Sequence, residues 1–498
     1  MDDVLRVYDA VLGARREGRL ENEMQRKYEL QCIFQAIKAA VPRLVEANLS
    51  DCPQRSEASV LLECTATLRF LREIHDRLSL ADAIERERHP ERGLDDTRRV
   101  LALGVVVILA AASPTSSSIA HAVIPLAAAI AAGNTPILVL DPRSGKTSHL
   151  LYDSLRSSGV DRDAIGLLMP GSHQERRSII TSLAERPLQA IVVQTEDDLS
   201  FVNSETSLLR ATPTCRVISA LKMPVVVTIT RQGNVDKAAV DVLRAASLTD
   251  RHVVVLVDEA VLATLQTALQ RRVHAYVEAN KSKHQRTKRG DKPKLSDGSL
   301  THWTIGQHVH AVVGEASIET IQAVIQSHDE EYSAISILTT SSMDAALSIV
   351  DSITIPNTTS YPSVHIYSIA SEARYLSRFM DTASTFVNQI PVLACIAPPQ
   401  HSFLDVVLET LYSRPSPLQV RHQPSGDLGS AAVSASQLRA LVAYEQLAIP
   451  TRPAGKRMGF FPQGGLVGLS HLLLITASLG WVAWATARSR WPSFPRAG

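Results

Sequence analysis

The sequence predicts an α/β protein with two lobes of parallel sheet, preceded by helices and followed by one membrane-spanning helix. Three observations lead to this fold class: helical spacing in the first hundred residues, alternating strand and helix signals up to about residue 397, and one long uncharged run near the end. A chain of 498 residues suffices for two or three domains. Because 51 Lys and Arg balance 50 Asp and Glu, overall charge favours no nucleic-acid partner.

Helices are predicted first, since apolar residues recur at helical spacing in YELQCIFQAIKAAVPRLVEANL and SVLLECTATLRFLREIHDRL. The uncharged stretch from Val100 to Leu140 is interrupted by helix- and strand-ending residues, so it is not predicted to be a membrane helix. LALGVVVILAAA ends at Ser113 and Pro114, and IAHAVIPLAAAIAA stops at Gly133. Together with TPILVL, these segments predict a β-α-β unit.

The alternation continues through strands in AIGLLMP, QAIVVQ, MPVVVTI and HVVVLVD, which predicts a doubly wound sheet. A polar, basic run from Ala275 to Leu300 predicts an exposed loop. Strand and helix signals resume in HAVVG, ETIQAVIQ, SAISIL, DAALSIVDSI, SVHIYSI and PVLACIA. The Pro-, Ser-, Gly- and Gln-rich stretch that follows predicts a linker.

One apolar segment, Leu466 to Ala487, predicts a transmembrane helix. Its 22 residues rise about 1.5 Å each, enough to cross a hydrocarbon core of roughly 30 Å. Because 11 residues follow it, we expect a single-pass tail anchor with the bulk of the protein facing the cytosol, at the endoplasmic reticulum. Five scattered cysteines without metal-ligand spacing agree with a reducing compartment.

The string GVVVILAAASPTSSSIAHAVIPLAAAIAAGNTPILVL resembles the aldehyde dehydrogenase superfamily, most specifically in PLAAAIAAGNT. GLLMPGS, HDEEYSAISIL and STFVNQIP are similar to later family segments in the same order. The resemblance implies an aldehyde dehydrogenase-like fold, and a C-terminal membrane helix is typical of the fatty aldehyde dehydrogenases. It divides the chain into a helical part (1–98), a Rossmann-like, nucleotide-binding domain (99–225), a second α/β lobe (226–397) with a basic loop (279–300), a linker (398–457) and the anchor (466–487).

The family's catalytic residues are not matched. Its nucleophile is a cysteine, and no cysteine occurs between Cys215 and Cys395. Its general-base glutamate matches Thr228, and its oxyanion-stabilising asparagine falls in SPTSSS, where Ser116 or a neighbour stands instead. The resemblance with these changes predicts a catalytically impaired pseudoenzyme.

The cofactor-binding residues are altered as well. The family's glycine-rich turn at a helix N-terminus appears as VVQTEDDLS, which places Glu196 to Asp198 where phosphates would lie. The family's ribose-binding lysine matches Val139 or Asp141, and Glu331 alone resembles the nicotinamide-ribose glutamate. We expect no cofactor, or NAD or NADP if the protein is active.

Three further motifs have simpler interpretations. RSGKT, Arg143 to Thr147, lacks the first glycine of a phosphate-binding loop because Leu140 stands there. His302, His308 and His310 predict residues of a sheet rather than a metal site. The basic run KSKHQRTKRGDKPK predicts a solvated loop, with attraction to anionic lipid as the alternative.

Three functions stay open. The first is a membrane-anchored pseudoenzyme with an accessory or scaffold role in a specialised metabolite pathway. The second is an NAD(P)-dependent oxidoreductase acting on a hydrophobic or fatty aldehyde, and the third is a tail-anchored interaction protein without a ligand. The resemblance also implies a homo-oligomer, or a hetero-oligomer with an active paralogue, while membrane lipid is the partner expected for the C-terminal helix.

Overall fold

The computed structural model describes residues 2–53, 55–79, 81, 102–111, 118–204, 215–219, 224–248, 252–280, 301–305, 309–313, 333–352, 363–382, 384–396, 439, 442 and 481. Three helices come first: α1 (Asp2–Arg16), α2 (Glu23–Asp51) and α3 (Glu57–Arg77). They match the helices predicted for this part of the chain. Two sheets follow, each covered by helices on both faces.

The first sheet is entirely parallel, with strand order β3-β2-β1-β4-β5. Its elements are β1 (Val105–Leu109), α4 (Ser118–Ala131), β2 (Thr135–Val139), α5 (Gly145–Ser157), β3 (Gly166–Leu168), α6 (His173–Ala184), β4 (Ala190–Val193), α7 (Glu196–Ser204) and β5 (Arg216–Ser219). The order reverses between β1 and β4. In doubly wound proteins, ligands bind beyond the carboxyl ends of strands at such a reversal.

Helix α4 explains the uncharged stretch of the sequence. All 14 of its residues are buried, because it lies between the first sheet and helices α2 and α3. A helix that is apolar on every side belongs in the core of a large protein or in a membrane, and here it belongs in the core. The predicted β-α-β unit is therefore confirmed.

The second sheet has seven strands in the order β12-β11-β6-β7-β10-β9-β8, and only β8 and β9 pair antiparallel. Its elements are β6 (Val225–Ile229), α8 (Val235–Leu248), β7 (Val253–Asp258), α9 (Glu259–Asn280), β8 (Thr301–Ile305), β9 (Val309–Val313), β10 (Ser333–Thr340), α10 (Met343–Ser352), β11 (Val364–Tyr367), α11 (Ala370–Phe379), β12 (Thr385–Val387) and α12 (Val392–Ile396). The predicted α/β architecture with two parallel lobes is confirmed.

One local prediction needs correction. The exposed loop was predicted to begin at Ala275 or 279, but α9 continues to Asn280, because EAVLATLQTALQRRVHAYVEAN contains neither Gly nor Pro to end it. His302 and His310 lie in β8 and β9, as residues of a sheet, and these strands pair antiparallel with Thr304 opposite His310. His308 lies outside the described residues.

The predicted membrane segment is largely outside the described part of the chain. Of Leu466 to Ala487 the structure describes Trp481, which is helical and 68% exposed. Among the helices of the described ranges, none is both long enough and apolar enough to cross a bilayer.

Candidate functional site

The carboxyl edge of the first sheet is the place where doubly wound folds bind their ligands. Helices α4, α5, α6 and α7 all begin at this edge, because each follows a parallel strand. The first turn of a helix carries backbone N–H groups without partners and the positive end of the helix dipole. These N-termini are therefore the groups that would meet phosphates.

At the start of α4, a buried carboxylate occupies the helix N-terminus. Glu63, from α3, accepts a hydrogen bond from the backbone N–H of Ala120 at 2.9 Å, and its side chain is fully buried. Its other oxygen accepts from Arg55 at 2.8 Å. Arg55 also donates to Asn48, whose amide donates to Ser118 Oγ at 3.1 Å. The N-terminus of α4 is thus bound to an internal ion pair.

The N-terminus of α5 is bound in the same way, by Asp51 at the end of α2. The Asp51 carboxylate accepts from the backbone N–H groups of Lys146 and Thr147, at 3.2 and 2.8 Å, and from the Thr147 hydroxyl at 2.8 Å. Lys146 Nζ donates to Ser50 Oγ at 2.6 Å. The RSGKT amides that a phosphate would need are used by this carboxylate.

Arg176, from α6, lies across the carboxyl ends of β1 and β2. It is 1% exposed, and it donates to the carbonyl oxygens of Leu140 and Ala110, both at 2.8 Å. It also donates to the buried carboxylate of Asp198 in α7 at 2.9 Å. The backbone N–H of Asp198 in turn donates to Thr195 Oγ1 at 3.1 Å.

Asp141 completes this ion network. It is buried, 2.8 Å from the guanidinium of Arg143 and 3.9 Å from that of Arg176. Burial alone would raise the pKa of Asp141, but the hydrogen bond from Arg143 and the charges of both arginines hold the pKa below its ordinary value. Two carboxylates and two guanidinium groups therefore neutralise one another at this edge.

Thr228, which the resemblance places at the general-base position, lies in the interior of the second sheet. It is opposite Leu256 of β7 and Ile366 of β11, is 2% exposed, and its Oγ1 has no hydrogen-bond partner among the described atoms. A hydroxyl is a poor base, and this one has no contact with solvent. Ser116, Glu331 and the side chain of Glu196 lie outside the described residues.

A buried polar cluster lies near the carboxyl edge of the second sheet. Tyr367 Oη donates to Asp241 Oδ2 at 2.5 Å, and Arg244 pairs with the same carboxylate. Burial, followed by the Asp241 charge, raises the pKa of Tyr367 far above its ordinary value. Thr230 Oγ1 donates to Glu372 at 2.6 Å. Because these groups satisfy one another, the cluster connects β6, β11, α8 and α11 rather than offering reactive groups.

The late segment STFVNQIP forms β12 and the turn after it. Asn388 has φ 57°, a left-handed conformation that asparagine tolerates better than most residues. Its side-chain amide accepts from Ser368 N at 3.1 Å and donates to Ser368 O at 3.0 Å. The asparagine therefore fixes the ends of β11 and β12 together.

Cys215 lies just before β5 and is half-buried. Burial raises the pKa of Cys215 to about 11, so it is a neutral thiol at physiological pH. Within the described ranges, no three His, Cys, Asp or Glu side chains are grouped as metal ligands.

Sequence reasoning did not single out Asp51, Glu63 or Arg176. Glu63 had a visible signal, since it is a lone acid inside the apolar run SVLLECTATL. Asp51 follows the last apolar residues of a helix, where an acid is usually solvated. Arg176 stands beside Arg177 in an ordinary amphipathic helix, and the sequence offers no signal that one arginine is buried and the other exposed.

Solved structures similar to this chain are aldehyde dehydrogenases. The substrate-bound AldH of Staphylococcus aureus is 14% identical, covering 81% of this chain and 92% of that one, with a TM-score of 0.54. An NAD-dependent benzaldehyde dehydrogenase from Corynebacterium glutamicum is 13% identical (79% and 87% covered, TM-score 0.56). A 1-pyrroline-5-carboxylate dehydrogenase from Thermus, with bound NAD, is 11% identical (82% and 84% covered, TM-score 0.56).

By sequence, no family model matches the chain and no curated protein matches it. The structural similarity nevertheless extends over most of both chains in each comparison. It agrees with the resemblance found in the sequence motifs. The chain therefore has the fold of the aldehyde dehydrogenase superfamily.

Proposed function

We propose that this protein is a membrane-anchored aldehyde dehydrogenase-like pseudoenzyme that binds no dinucleotide and acts as an accessory or scaffold protein. One observation carries the proposal. The protein's own carboxylates, from Glu63, Asp51 and Asp198, lie at the helix N-termini where a doubly wound fold would receive phosphates.

The ion pairs make these carboxylates costly to displace. A pyrophosphate at the start of α7, where the resemblance places it, would have to take the place of Asp198 and separate it from Arg176. Breaking a buried ion pair costs about 3 to 5 kcal/mol. Since each 1.4 kcal/mol is about a tenfold change in affinity, such a cost would weaken a micromolar site to about millimolar. The residues at this edge do not fit the cofactor that the fold family uses.

The sequence supports the same conclusion for catalysis. Without a cysteine between Cys215 and Cys395, no thiolate is available to attack an aldehyde in that part of the chain. The hydroxyl of Thr228 cannot replace a carboxylate as a general base.

Titration calorimetry of NAD⁺ and NADP⁺ with the full-length protein tests the proposal, with the Corynebacterium glutamicum enzyme as the positive control. We expect no heat above dilution for this chain. Micromolar affinity for either dinucleotide would refute the proposal.

A matched pair of variants tests the cause. Asp198→Asn removes the buried charge, while Asp197→Asn removes an exposed charge from the same helix. If the carboxylate excludes the dinucleotide, Asp198→Asn should bind NAD⁺ more tightly than Asp197→Asn. Equal binding by two folded variants would show that the carboxylate is not the cause.

The fold itself favours a second candidate, an NAD(P)-dependent oxidoreductase acting on a hydrophobic aldehyde. Similar structures include NAD-dependent enzymes over 79% of this chain and more. Aldehyde-dependent formation of NADH by the purified protein would establish this function. If no turnover occurs, mass spectrometry of the purified protein separates a scaffold that carries a lipid or metabolite from an interaction protein without a ligand.

A further inference from the structure

A cleft lies at the opposite, amino edge of the first sheet. It has a volume of about 280 Å³ and lies between the turn that joins α1 to α2, the residues before β1, and the turn from α4 to β2. We propose that this arginine cleft, named for Arg15 and Arg16 at its rim, binds a small organic anion through a carboxylate or phosphate group.

Arg15 and Arg16 have guanidinium groups available to such a ligand. Both are exposed, in the last turn of α1. Arg15 donates through Nη2 to the carbonyl oxygen of Leu103 at 3.2 Å, which leaves its other donors open. Arg16 makes no hydrogen bond or ion pair with any described residue.

The neighbouring arginines show that the cleft does not need these two groups for its own structure. Arg19 already pairs with Glu17, Asp161 and Asp163, at 2.7, 3.3 and 3.1 Å. Arg26 donates to the backbone carbonyls of Leu20 and Glu21, in the turn from α1 to α2, and to that of Ala131 at the end of α4. The frame of the cleft is therefore fixed by Arg19 and Arg26, while Arg15 and Arg16 remain for another partner.

Two glycines, Gly104 and Gly133, line the cleft and contribute only backbone atoms. Gly104 has φ +130°, and a Cβ there would lie 2.3 Å from Nε of Arg15. Gly133 has φ +83°, a conformation that side chains rarely adopt. A side chain at Gly104 would displace the guanidinium of Arg15, and a side chain at Gly133 would displace that of Arg26. Glu21 is the one acid among the lining residues, against Arg15 and Arg16, which pair with no acid of the described residues, so the local charge favours an anion.

Size and chemistry define the ligand class. A guanidinium offers its donors as a rigid fork, which matches the oxygens of carboxylates and phosphates. At about 30 Å³ for each water, the cleft holds about nine waters, the space of a metabolite with about ten non-hydrogen atoms. This is too little for a dinucleotide.

The arginine cleft is separate from the carboxyl edge of the first sheet. A failure of the anion-binding proposal and a failure of the proposed function can therefore be distinguished.

Calorimetry with the full-length protein tests the site, using inorganic phosphate and succinate as separate probes at constant ionic strength. We expect at least one of them to bind, and their ratio distinguishes phosphate from carboxylate recognition. No binding of either probe would overturn the proposal. So would binding of a short polyglutamate peptide alone, because that result would indicate a protein partner.

Variants locate the binding. Arg16→Ala should weaken the affinity at least about tenfold, while Arg43→Ala, which removes an exposed arginine of α2 outside the cleft, should leave it unchanged. Arg16→Lys should fall between, because lysine keeps the charge and loses the fork. Circular dichroism melting establishes that each variant is folded. Equal affinities of Arg16→Ala and Arg43→Ala would refute the assignment.

Discussion

Replacing Arg176 by methionine should destabilise the protein more than any surface substitution on the same helix. The guanidinium is 1% exposed and donates to two carbonyl oxygens and to Asp198, so Arg176→Met removes all three contacts. Asp198 would then be a buried carboxylate without its counter-charge. Asp141 loses less, since Arg143 stays 2.8 Å away.

The expected magnitude follows from the buried pair. Removing one partner of a buried ion pair costs about 3 to 5 kcal/mol, most of it from the charge left behind. For a cooperative unit of about 150 to 250 residues, 1 kcal/mol shifts the melting temperature by about 2 to 4 °C. The melting temperature should therefore fall by roughly 6 to 20 °C.

Melting is best followed by circular dichroism rather than by tryptophan fluorescence, because none of the four tryptophans lies in the first sheet. Arg177→Met is the matched control: Arg177 is exposed on the same helix, 5.4 Å from the Phe201 ring, and its loss should cost less than about 1 kcal/mol. The double variant Arg176→Met with Asp198→Leu should recover part of the loss, because both charges are removed. Equal melting of the two single variants would refute the buried-pair reasoning.

Three further predictions concern other parts of the chain. Burial lowers the pKa of His365 to about 4, below its unfolded value of about 6.5, so the unfolded state binds more protons between these values. The protein should therefore lose up to about 3 kcal/mol of stability as the pH falls from 6.5 to 4. The unfolding midpoints of wild type and His365→Gln should converge towards pH 4, and parallel curves of midpoint against pH would contradict this. Gly233→Ala should cost at least about 2 kcal/mol in denaturant unfolding, because the new Cβ would lie 2.3 Å from the Tyr367 carbonyl oxygen, whereas Gly145→Ala, with no atom within 4 Å, should be neutral or slightly stabilising. Deleting 466–487 should move the protein from the carbonate-resistant membrane pellet to the supernatant, and an unchanged distribution would refute the anchor.

The sequence was sufficient for those elements whose signal is local. Strands such as VVVIL and VVVLV are continuous apolar runs, and α4 is bounded by clear stop residues, so both sheets could be anticipated. β5 could not be anticipated, because its four residues begin with Arg216 and lack an extended apolar run. Its place at the edge of the first sheet depends on pairing with β4, a long-range contact.

The site shows the same division. The sequence TEDDLS already indicated that acidic residues stand where the resembled family has its glycine-rich, phosphate-binding turn. That Asp198 faces inward to Arg176, while Asp197 is exposed, depends on which side of α7 meets the sheet. The partners of α4 and α5 come from helices more than 50 residues earlier in the chain, and no spacing rule predicts such pairs.

The capping of α4 and α5 by Glu63 and Asp51 also limits how the protein can be divided for study. A fragment that begins near residue 100 would lose both carboxylates and leave two helix N-termini with unsatisfied N–H groups. We expect such a fragment to bind phosphate at these two helix N-termini more tightly than the intact chain does. An affinity measured without the first 80 residues therefore cannot be transferred to the whole protein.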